Sequence, residues 1–179
     1  MMKKTSSIHS IALIAVFIAL TFLGTMIKIP LPTGEFVHLG NIVVLLAILF
    51  IGYLKGALAG GIGFALFDLF NGYAATAPYF IVESFVVGDA ASLVVLLFNN
   101  NLNHLWKVTL VACSAGIAKI MMTQIKNTIV LLLSGANLKS AFVGAAIMLP
   151  ATIINAVITV IVVSIIYFPL KKAIHASTK

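Results

Sequence analysis

The chain has 179 residues, of which 62% are hydrophobic and 8% charged, and a formal net charge of +7. A mean hydropathy of +1.20 lies far outside the range of soluble domains and leaves a multi-pass membrane protein as the class. All eleven basic residues are lysines, most of them where helices leave the membrane, so topology and lipid headgroups account for the positive charge and no nucleic-acid partner is implied.

At roughly 20 residues per span for ~30 Å of hydrocarbon, this length supplies about six spans in a single all-α domain, residues 1–179. The first is expected at about 8–27. It follows Met-Met-Lys-Lys, but its apolar run is longer than a signal-peptide core and no small-x-small cleavage site follows, so it reads as a span that stays. Ala12, Ala15 and Ala19 give it a flat side on which another helix can pack closely. An outer loop at 28–37 comes next, because Pro30 and Pro32 cannot continue a helix and Gly34 permits a turn. Its prolines lower the entropy lost on closing over a ligand, Glu35 and His38 add polar contacts, and Phe36 offers a ring to stack on, so the loop has the makings of a lid. Two such ligands without a third do not make a metal site.

The second and third spans, about 37–54 and 56–71, are joined at Lys55. Gly56, Gly60, Gly61 and Gly63, interleaved with alanines, give the third a small-residue face for close helix approach; without a Gly-Lys-Ser/Thr ending the run is no phosphate loop. Asp68 and Asn71 stand at its outer end, at the cavity mouth or as helix-terminus groups. The fourth span, about 78–98, carries Glu83 and Asp89, with Tyr79 one turn before Glu83 as a further candidate contact. On the fifth, about 106–134, Lys119, Thr123, Lys126 and Asn127 recur at helical spacing on one face. The lone Cys113 in this span excludes an intrachain disulfide and a cysteine-based metal motif. The sixth, about 141–170, contributes Pro150, Thr152 and Asn155.

Seven lysines fall on one side of this arrangement and two on the other, which places both termini in the cytoplasm and the proline-containing loop outside. A charge near the bilayer centre costs at least ~2.5 kcal/mol, so Glu83, Asp89, Lys119 and Lys126 must face an interior, a partner charge or a bound polar molecule. Counting depth along antiparallel spans pairs Glu83 with Lys126 and Asp89 with Lys119, the latter deep enough to be a structural ion pair. With Asn127 and Asn155 these groups are expected to line an outward-facing cavity that recognises a small polar ring; the alternative is that they only hold the bundle together.

The loop Ile-Pro-Leu-Pro-Thr-Gly-Glu-Phe, the following His38-Leu-Gly-Asn41, the Gly-Ala-Leu-Ala-Gly-Gly-Ile-Gly third span and the Ala-x-x-x-Ala first span resemble the substrate-binding S component of an energy-coupling factor (ECF) vitamin transporter, over nearly the whole chain. Within that family the chain is most similar to members assigned to hydroxymethylpyrimidine, a thiamin precursor, or to pyridoxine, with riboflavin-type members next. The resemblance implies a multi-pass protein of a prokaryotic cell membrane that binds a vitamin from outside and performs no chemistry on it. The implied substrate contacts are Pro32, Gly34, Glu35, Phe36, His38, Tyr79, Glu83, Lys126, Asn127 and Asn155. It further implies docking through Ala12, Ala15 and Ala19 on a transmembrane coupling subunit, and two cytoplasmic ATPases that use the ATP, since this chain binds no cofactor and has no nucleotide motif of its own.

Two other classes compete. A self-sufficient proton-coupled carrier would exchange a proton between Asp89 and Lys119, although such carriers often have more spans or internal repeats. An intramembrane enzyme would need a nucleophile and base or a metal cluster at membrane depth, and the sequence offers neither.

Overall fold

The computed structural model describes residues 7–32 and 35–177. Its elements are α1 (Ser7–Met26), β1 (Lys28–Pro30), β2 (Phe36–His38), α2 (Gly40–Ile51), α3 (Tyr53–Phe70), a 3₁₀ turn (Ala74–Thr76), α4 (Ala77–Leu97), α5 (Leu105–Leu133), α6 (Leu138–Ile147) and α7 (Pro150–Ser177). Of these, α1, α3, α4, α5 and α7 are long and apolar enough to cross a membrane, and α2 and α6 are shorter apolar helices. Helices dominate because every backbone N–H and C=O in hydrocarbon needs a partner within the protein, which an apolar helix supplies from itself.

The distribution of side chains is that of a protein dissolved in lipid. Ile8, Val16, Leu97, Ile117, Ile125 and Ile165 are exposed on the outer surface, while Thr21, Asp68, Glu83, Lys119, Thr123, Asn127, Asn155 and Thr159 are buried. Close approaches fix the helix order. A Cβ on Gly56 would collide with the backbone of Ile48, which closes α2 on α3 as an antiparallel hairpin around Gly52, at φ +89°. Gly61 lies against Ile81 of α4, Ser114 of α5 donates to the Ala90 carbonyl at 3.2 Å, and Thr109 and Ser164 bond at 2.9 Å between α5 and α7. The chain thus alternates direction, and α1 begins at the same end of the bundle as α7 finishes.

Three expectations are corrected here. The 28–37 loop is a two-stranded antiparallel hairpin, with Lys28 opposite His38, Ile29 opposite Val37 and Pro30 opposite Phe36. The second span, expected over 37–54, contains only a 12-residue helix. At a 1.5 Å rise that helix covers about 18 Å, and β2 adds about 10 Å more, so strand and helix together cover roughly the length of a span. The sixth span, expected as one helix over 141–170, is two. Met148 and Leu149 close a tight turn onto the carbonyls of Ala145 and Ala146 at 3.1 and 3.2 Å. Pro150 then stands at the first position of α7, where its missing N–H costs nothing.

A strand inside a bundle leaves backbone groups that helices would have satisfied, and other parts of the chain supply partners for several of them. Asn155 of α7 acts as a third strand on the free edge of β2: its Oδ1 accepts from the His38 N–H at 2.8 Å and its Nδ2 donates to the Phe36 carbonyl at 3.1 Å. The Leu39 N–H donates to the Gly24 carbonyl at 2.9 Å, and the Gly40 N–H donates to His38 Nδ1 at 3.2 Å. Non-helical backbone within a membrane is tolerated only where the protein itself supplies partners of this kind.

Candidate functional site

The hairpin and the helix ends near it enclose a chain of polar groups. Glu83, on α4, is 1% exposed, and its carboxylate accepts from the Tyr79 hydroxyl at 2.5 Å and pairs with Lys119 of α5. The Lys119 ammonium also lies over the rings of Phe64 and Phe80, at 5.3 and 5.1 Å from their centroids. About two turns further along α5, Lys126 lies over Tyr79 and Phe80, at 5.4 and 5.7 Å, and reaches Glu35 of the hairpin at 3.5 Å. Phe80 is therefore shared between two cations, and two acids balance two lysines. The set is electrically neutral, as burial in a low-dielectric interior requires.

The sequence-predicted residues are only partly re-sorted by this geometry. Glu35, Phe36, His38, Tyr79, Glu83, Lys126, Asn127 and Asn155 gather at one end of the bundle, but the predicted pairs do not form. Glu83 pairs with Lys119 instead of Lys126, and Lys126 pairs with Glu35. The Asp89–Lys119 ion pair is absent among the described residues, and Asp89 is exposed beside a different cavity. The cause is register. Contacts of Lys119 with Glu83 and of Ser114 with Ala90 show α5 displaced by more than a helical turn toward the hairpin end relative to the counted depths. Equal span depth was assumed, whereas α5 has 29 residues against 21 for α4 and projects beyond it.

Other residues take more local roles. Asn155 holds the hairpin backbone, as described, and His38 Nδ1 accepts from Gly40, a bond that needs this nitrogen unprotonated. Pro32 is exposed at the hairpin tip, and Gly34 lies outside the described residues. Asp68 accepts from the Thr76 hydroxyl at 2.6 Å and Asn71 donates to the Phe67 carbonyl at 2.9 Å, so both act at the helix end. Ala12, Ala15 and Ala19 are exposed on one side of α1, covered by none of the described residues.

Sequence reasoning missed several participants. Asn41, Phe64, Ser84 and Thr159 join Glu83 and Lys119 around a cavity of about 30 Å³. Asn41 stood in the His-Leu-Gly-Asn run without a role; in the structure its Nδ2 is buried and unpartnered, as is Nδ2 of Asn127. Buried donors without acceptors are uncommon and mark places where a ligand or water completes the set. Lys28 was counted only for topology. Its ammonium sits among Phe36, Phe67 and Tyr73, at 5.2, 4.8 and 5.7 Å, and donates to Asn71 Oδ1 at 3.4 Å, fastening the hairpin onto α3.

A lipid-facing helical bundle with a neutral, aromatic-walled polar cluster under a hairpin defines a multi-pass membrane protein with a polar interior. A family model described as "ECF-type riboflavin transporter, S component" matches residues 5–172. The chain belongs to this family, and it is a membrane-embedded substrate-binding subunit of an ECF vitamin transporter. No curated protein and no solved structure matches it.

Proposed function

We propose that this subunit captures a single-ring, hydroxymethylated nitrogen heterocycle of the hydroxymethylpyrimidine or pyridoxine class. The observation that carries this reading is the compactness of the polar set: Glu83, Lys119 and the unpartnered Asn41 amide share a cavity of about 30 Å³. That volume holds a water or two. A single ring requires far less displacement of Phe64 and Leu45 than a three-ring flavin does. Ring nitrogens and hydroxyls suit the carboxylate acceptor and the ammonium and amide donors, and Phe64, Phe80 and Tyr79 supply faces for stacking. Lys126 and Glu35 tie the hairpin down over the ligand, and Asn155 fixes its height.

A second reading, riboflavin, is favoured by the description of the family. Mass spectrometry of small molecules released on denaturing the detergent-purified subunit, followed by calorimetric titration, separates the two. Stoichiometric hydroxymethylpyrimidine or a B6 vitamer supports the first reading, and riboflavin, visible by its own absorbance, establishes the second. Failure to bind any of the three in titration overturns the vitamin assignment.

Transport itself requires partners. The reading places both termini in the cytoplasm on the lysine count, with a transmembrane coupling subunit against the exposed Ala12, Ala15 and Ala19 face and two ATPases supplying the energy. ATP-dependent uptake in membranes that contain all four subunits tests this.

A further inference from the structure

A second cavity, of about 620 Å³, lies at the opposite end of the bundle from the hairpin, where α1 starts and α4 finishes. Six parts of the chain wall it: Ser10 and Leu13 of α1, the end of α2 with Leu49, the turn at Gly52 with Lys55, α4 between Asp89 and Leu96, Asn100 of the loop that follows, and Tyr167 of α7. Of the four charges Glu83, Asp89, Lys119 and Lys126, Asp89 is the one that the polar cluster above does not use. It lies eight residues before the end of α4, about 12 Å along the helix axis. No hydrogen bond or ion pair satisfies its carboxylate among the described residues. Lys55, on the same cavity, donates to Ser10 Oγ at 2.5 Å and retains two further N–H groups. Acid and base thus share one cavity without pairing with each other.

An unpaired carboxylate at this depth and an incompletely used ammonium nearer the helix ends describe a receptor for a zwitterion, its cation held deep and its anion held shallow. Leu13, Leu49, Leu93 and Leu96 make much of the remaining wall apolar, which suits a ligand that also carries hydrocarbon. We propose that this cavity binds the headgroup of an aminophospholipid, with the primary ammonium on Asp89 and the phosphate on Lys55 and Ser10. A quaternary ammonium cannot donate hydrogen bonds to Asp89, and a headgroup with no cation leaves the carboxylate unpaired, so the site selects ethanolamine over choline and glycerol headgroups.

Native mass spectrometry of the delipidated full chain in detergent, titrated with dioleoyl phosphatidylethanolamine, phosphatidylcholine and phosphatidylglycerol, tests this. One phosphatidylethanolamine is expected to bind about ten-fold more tightly than either competitor, the factor that one charge-assisted hydrogen bond supplies. Asp89→Asn is expected to erase that preference, and Lys55→Gln to weaken phosphatidylethanolamine and phosphatidylglycerol alike. Equal affinities for the three lipids in the unaltered chain overturn the proposal without recourse to any variant, as does a preference that survives Asp89→Asn. Soluble glycerophosphoethanolamine competing as strongly as the lipid overturns the lipid assignment and leaves a site for a free phosphoamine.

Discussion

Replacing Lys119 by methionine tests the centre of the structural argument. Met matches the length of the lysine stem but carries no charge, so the Glu83 carboxylate, 1% exposed, keeps only the Tyr79 hydroxyl. Removing one partner of a buried ion pair costs about 3–5 kcal/mol, because the remaining charge stays desolvated. Glu83→Gln is expected to cost less by about 1–2 kcal/mol, since the stranded ammonium still lies over two aromatic faces. The double variant removes both charges and is expected to return to within about 1.5 kcal/mol of the unaltered chain, a strong positive coupling. Equilibrium unfolding in mixed micelles titrated with dodecyl sulfate and followed by circular dichroism measures all four proteins. A loss below about 1 kcal/mol for Lys119→Met, or a double variant as unstable as the two singles combined, refutes the pairing of Glu83 with Lys119.

Other perturbations act on separate parts of the molecule. Asn155→Leu strips partners from the His38 N–H and the Phe36 carbonyl, about 1–3 kcal/mol for each group left unpaired, and is expected to raise hydrogen exchange across 36–38 while weakening ligand binding. Lys126→Ala removes a 3.5 Å, partly exposed pair worth under about 1 kcal/mol, so stability should hardly change while ligand dissociation, read by stopped flow, accelerates as the hairpin loses its tie. Gly56→Val drives a side chain into the Ile48 backbone and is expected to abolish monodisperse expression, judged by size-exclusion chromatography, whereas Leu58→Val on the exposed side of the same helix leaves it intact. Leucine at both Ala15 and Ala19 is expected to abolish uptake by the complete transporter with vitamin affinity unchanged by calorimetry; persistent uptake refutes docking on that face.

Much of this protein is determined by the sequence alone, because in hydrocarbon the rules are few. The apolar runs had to become helices, and α1, α3, α4 and α5 begin and end within a few residues of the expected bounds. The face bearing Lys119, Thr123 and Asn127 had to turn inward, since no other orientation shelters the charge, and all three are buried. What needed the tertiary structure was everything that depends on how one helix slides along another. Span counting assumes equal depth, so it paired Glu83 with Lys126 and Asp89 with Lys119; the displacement of α5 toward the hairpin instead brings Lys119 to Glu83 and Lys126 to Glu35. Nor did hydropathy distinguish a span that is one helix from one made of a strand and a half-length helix, because Phe36, Val37 and Leu39 are as apolar as the helix they precede. That choice rests on Asn155, more than a hundred residues away, whose amide supplies the backbone partners a strand at that depth requires.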